Sequence, residues 1–171
     1  MSRSTMLRLL APAALAAALA WAAPADHLAR FGPPWISIEA PPNPFDRATR
    51  DAFLVVRTYH HGTLLDQGVR GTAEGIVGTE RRTVRLTFGP TSQPGVYALR
   101  RQWPGDGRWA LVISTGPEDG AATALVALDP GGQQVASVTV PSRQQDGWTV
   151  PRTVTRADVD ALLGVRVAGR R

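Results

Sequence analysis

The sequence predicts an all-β protein, a β-sandwich followed by one short helix. Three observations carry this. Short apolar segments with period-two alternation recur at close intervals. Behind the amino-terminal leader, glycine and proline supply about a fifth of the residues, which favours short elements joined by turns. A single amphipathic helical pattern occurs, near the end of the chain.

The elements follow in order. Arg3 and Arg8 precede an uncharged run from Leu9 to Ala23, and Ala23-Pro24-Ala25 offers small residues at both positions of a signal-peptidase site. The run of 15 residues falls short of the roughly 20 that span a bilayer. Residues 1–25 are therefore expected to be a cleaved export signal, leaving no stable membrane span and a periplasmic or secreted protein. Residues 26–45 form a proline-rich extended lead-in, with Pro33, Pro34, Pro41, Pro42 and Pro44 around at most one edge strand between Pro34 and Glu39.

A sandwich domain is expected over 46–152, with its first strand reaching back to about residue 35. Phe53 to Tyr59 is β-branched and aromatic. Thr83 to Phe88 alternates, with Val84, Leu86 and Phe88 on one face. Val96 to Trp103 places Tyr97, Leu99 and Trp103 together, and Arg108 to Ser114 does so with Trp109, Leu111 and Ile113. Ala124 to Leu128 is apolar on both faces and reads as buried, and Val135 to Val140 follows it. Pro104-Gly105-Asp106-Gly107 and Asp129-Pro130-Gly131-Gly132 carry the residues of tight turns. In the carboxy-terminal segment 153–171, Thr155 caps a helix over about 156–163. Asp158 stands three residues on, and Val159, Leu162 and Leu163 form the apolar stripe before Gly164. A basic tail follows.

The segment Gly95-Val96-Tyr97-Ala98-Leu99, with Trp103-Pro104-Gly105-Asp106-Gly107-Arg108-Trp109 through Ile113, resembles the closing hairpin of YtkA-like and FixH-type exported domains. The resemblance is strongest over about 95–113 and extends weakly back to Phe53. It implies an immunoglobulin-like sandwich in which the two strands pair and Tyr97 and Trp109 anchor the core. That family's middle strands often carry a Pro-Val step and methionines; here Gly68 to Gly75 reads Gly-Val-Arg-Gly-Thr-Ala-Glu-Gly.

Composition excludes several functions. Cysteine and lysine are absent, and all 19 basic residues are arginine. Disulfides, thiolate metal sites, a Walker A loop and lysine Schiff-base chemistry are thereby ruled out. Without the leader the net charge falls to +3, too mild for a nucleic-acid binder. Both methionines, Met1 and Met6, lie in the leader, so the exported chain holds no sulfur and no soft site for Cu(I).

No G-x-S-x-G elbow and no H-E-x-x-H occurs, and no spacing singles out a carboxylate pair. Asp158 and Asp160 are explained by the helix dipole. Two constellations remain. His60 and His61 follow a strand, where adjacent side chains point to opposite faces unless Gly62 turns the chain. His27, at the second position of the exported chain, can add an amine and an imidazole for Cu(II). The plainer reading is exposed loop and tail histidines. Arg81, Arg82, Arg85, Arg100, Arg101 and Arg108 form a guanidinium patch for anionic lipid, cell-wall polymer or an acidic partner, if sequence neighbours are also sheet neighbours. The plainer reading there is a solvated face. The expected function is an exported, non-catalytic binding or accessory module of the cell envelope, needing no cofactor and partnered by an envelope protein or anionic surface. The alternatives are a Cu(II)-binding periplasmic protein and a small hydrolase.

Overall fold

The structure, a computed structural model, describes residues 34–165. Residues 1–25, expected to be a leader, His27 and the basic tail from 166 lie outside the described residues. Among those described, strands in antiparallel sheets dominate, the only α-helix is short, and no helix is long and apolar enough to cross a membrane.

The first sheet holds β1 (Trp35–Glu39), β2 (Leu54–His60), β3 (Thr63–Leu64), β6 (Gly89–Pro90) and β7 (Val96–Leu99). Its order is β1-β2-β7-β6, with β3 folded back on β2. The second holds β4 (Val69–Val77), β5 (Glu80–Arg85), β8 (Arg108–Thr115), β9 (Ala122–Leu128) and β10 (Val135–Thr139), in the order β10-β9-β8-β4-β5. A separate hairpin pairs β11 (Ser142–Gln145) with β12 (Trp148–Pro151), and helix α1 (Arg156–Leu162) follows.

One apolar cluster joins the facing sides of the two sheets. Ile36, Leu54, Val56 and Leu99 come from the first sheet, and Ala73, Trp109, Leu111, Ile113 and Val126 from the second. Alternation does this: in β8, Trp109, Leu111 and Ile113 turn inward while Ala110, Val112 and Ser114 turn outward. β1, drawn from the proline-rich lead-in, is the edge strand expected there, and its Ile36 is fully buried in the core.

A second, smaller cluster lies on the opposite face of the second sheet. Val159 and Leu163 of the helical segment close over Ala110 and Leu125, with Ile76 and Val112 beside them. Burial of Val159, Leu163 and Leu125 contributes about 1.5–3 kcal/mol each. This explains why β9 is apolar on both faces: one meets the core and the other meets α1. The Thr155 hydroxyl accepts from the Asp158 N–H, and the Asp158 carboxylate accepts from the Thr155 N–H. That capping box starts the helix where the sequence places it.

Three expectations are corrected. β7 and β8 do not pair: the Pro104–Gly107 connection carries the chain from the first sheet to the second, so Tyr97 and Trp109 face the core from opposite sides. The strand expected over Thr83–Phe88 runs instead over Glu80–Arg85, and the one expected to reach Trp103 ends at Leu99. Past Leu99 the chain dips inward, burying the Trp103 ring, whose Nε1–H donates to the Gly132 carbonyl.

The glycine-rich segment from Gly68 is assigned no element by the sequence. It holds β4, at nine residues the longest strand among the described residues, flanked by β8 and β5. Glycine usually weakens a strand. Here a Cβ on Gly71 would stand 2.6 Å from the Val112 carbonyl oxygen, and one on Gly75 would collide with the Trp109 ring. The missing side chains make room for the core.

Candidate functional site

Helix α1 covers part of the outward face of the second sheet. Beside the helix lies a cleft of about 640 Å³. Its floor is a polar stripe that strand alternation aligns. Arg70, Thr72 and Glu74 project from β4, opposite Ser114 and Val112 of β8. Thr83 of β5 and Thr123 of β9 widen the floor on either side. One wall is the 3-10 turn Glu118–Gly120; the other is the segment from Pro151 into the first turn of α1.

The charges sort into two groups. Arg81 donates to Asp160 at 2.5 Å and stands 4.0 Å from Glu74, while Arg156 approaches Asp160 at 3.8 Å. Glu74 also accepts from the Thr83 hydroxyl at 2.9 Å. This network ties β5, β4 and α1 together. Arg70, Glu118 and Asp119 form the other group, and among the described residues none of these three makes an ion pair. Arg70 donates through Nη1 to the Gly116 carbonyl at 2.6 Å, which fixes it at the base of the turn bearing the two acids. Between the groups, the hydroxyls of Ser114 and Thr123 bond each other at 2.8 Å.

The wall is held electrostatically as well. Arg152 makes a forked contact with Asp158, at 2.9 and 2.6 Å. That guanidinium, together with the Thr155 N–H and hydroxyl, holds the Asp158 carboxyl well below the usual carboxylate range. Both helix acids noted in the sequence are therefore engaged in ion pairs. Among the described residues, no histidine lines the cleft.

The residues singled out in the sequence are distributed otherwise. His60 ends β2 and His61 occupies the left-handed region at φ 50°, followed by Gly62 at φ 76°. This two-residue turn bends the chain before the strand can continue, and the imidazoles meet edge to face with centroids 4.5 Å apart, not on opposite faces. Among the described residues, no group of three or more His, Asp and Glu is placed to hold a metal ion.

The arginines divide between the two sheets. Arg82 and Arg85 lie on β5, Arg82 close to Glu80 at 3.4 Å. Arg100 and Arg101 follow β7 of the first sheet, and Arg101 turns its guanidinium to the carbonyls of Trp103 and Pro104. Arg108 opens β8 and reaches Gly164 just past the helix, where a Cβ would stand 2.9 Å from its Nη1. Arg81 alone of the six lines the cleft.

The cleft residues Arg70, Thr72, Glu74, Ser114 and Thr123 were not singled out by sequence reasoning. The signal present was the polar alternation of Arg70, Thr72 and Glu74 between small residues. No family model, no curated protein and no solved structure matches the chain.

Proposed function

We propose that this chain is an exported, non-catalytic binding module of the cell envelope, and that its ligand occupies the cleft between the second sheet and α1. The observation that carries the reading is the cleft itself. A polar, hydroxyl-rich groove with charges of both signs is built on rigid strands and braced by the Arg81–Asp160 and Arg152–Asp158 pairs. Sites on strands hold their geometry better than sites on loops.

Export is supported by the charged start, the apolar run and the small residues at Ala23 and Ala25. An immunoglobulin-like sandwich of the YtkA-like and FixH-type kind is the architecture we propose for the two sheets and their shared core. Its support is the antiparallel pairing throughout and the Gly95–Ile113 segment. Cell fractionation with amino-terminal mass spectrometry tests export: the expected product begins at Asp26 and leaves with the envelope or medium. A full-length product in the cytoplasm contradicts it.

A further inference from the structure

We infer that the cleft takes a short peptide with a free amino and a free carboxyl terminus. The inference rests on the binding reading above and names its ligand class. Of the charged lining residues, Glu74, Arg81 and Arg156 spend their charge on one another and on Asp160. Among the described residues, Arg70, Glu118 and Asp119 keep theirs for an incoming group.

These three stand together, because Arg70 is bonded to Gly116, two residues before Glu118. A purely anionic ligand drawn to Arg70 meets two carboxylates, and a purely cationic one drawn to those acids meets the guanidinium. A ligand carrying both charges satisfies both. Its carboxylate suits the planar fork of Arg70, and its ammonium suits Glu118 and Asp119.

The rest of the lining fits a peptide backbone. The hydroxyls of Thr72, Ser114, Thr123 and Thr153 each donate and accept, as a chain of N–H and C=O groups requires. No aromatic side chain lines the cleft among the described residues, so a base or sugar ring finds no stacking platform and a quaternary ammonium no cage. The volume of about 640 Å³ is that of a small-molecule site and exceeds what one free amino acid fills.

The test is calorimetric titration of the purified protein with four probes: trialanine, its N-acetyl derivative, its amide, and the doubly capped form. Trialanine is expected to bind, and blocking either terminus to weaken binding by about tenfold. Arg70→Gln is expected to abolish the penalty for the amide. The double change Glu118→Gln with Asp119→Asn is expected to abolish the penalty for the acetylated form. Circular dichroism melting confirms that both variants fold. Equal binding of free and doubly capped trialanine overturns the two-charge inference and leaves the binding reading intact. Failure of all four probes overturns the peptide class. A thermal-shift screen of small carboxylates, amines and sugars then judges the cleft itself: a hit lost in Arg70→Gln retains the reading, and no hit sensitive to these variants removes it.

Discussion

Arg81 and Asp160, 79 residues apart in sequence, meet at 2.5 Å across one corner of the cleft. The bond links edge strand β5 to the only α-helix described and sets the wall against the floor. Asp160 is largely buried beside two guanidiniums, so its replacement leaves arginine charge uncompensated. Asp160→Asn is expected to cost about 1 kcal/mol, read as a lower urea midpoint. Amide exchange should quicken in α1 before it does in β8. A uniform change across the chain would contradict the tie.

The helix is held mainly by burial. Leu163 is 1% exposed against Ala110, Leu125 and Val159. Leu163→Ala is expected to lose about 2–4 kcal/mol in denaturant unfolding. A loss below about 0.5 kcal/mol, the range of surface changes, would mean that the helix docks without supporting the fold.

Gly75→Ala drives a methyl into the Trp109 ring, whereas Gly89→Ala meets only the Ala98 carbonyl oxygen at 3.7 Å. The first is expected to destabilise by about 1–3 kcal/mol and the second to stay within about 0.5 kcal/mol. Thermal melts of the two variants decide it, and equal melting temperatures would refute the packing role of Gly75.

How much of this was legible in the sequence follows from the range of each interaction. The Thr155–Asp158 capping box is local, as is the alternation of Trp109, Leu111 and Ile113, and both are seen in the chain as written. β4 was hidden because Gly71 and Gly75 look like breakers until Val112 and Trp109 stand opposite them. The Pro104–Gly107 turn has hairpin residues, yet turn chemistry does not say whether the next strand joins the same sheet. The cleft draws on β4, β5, β8, β9 and the segment before α1. Only the folded register brings these together.

Tyr97 gives the alkaline limit. Burial and the neighbouring Asp66 carboxylate, which accepts from its hydroxyl, push its phenol up to about 12. Because the folded value is raised, the unfolded chain releases this proton first. The contribution is fully present below pH about 10 and is lost as pH rises through about 12. Stability of the wild type should fall over that window more steeply than that of Tyr97→Phe. Parallel profiles would contradict the assignment.

Copper tests the histidine alternative. Cu(II) is expected to bind weakly, since His60 and His61 offer two neighbouring imidazoles at a turn, short of the ligand set that a closed site uses. Tight one-to-one binding, lost when both are changed to alanine, would promote the copper reading over the cleft.

The most direct measurement is a trialanine titration followed by two-dimensional amide spectra of the isotope-labelled protein. Shifts are predicted at Arg70, Thr72, Glu74, Ser114 and Thr123 and through residues 118–121, with the His60–His61 turn unmoved. Saturable shifts centred on that turn or on the outer face of the first sheet would contradict a ligand site between the second sheet and its helix.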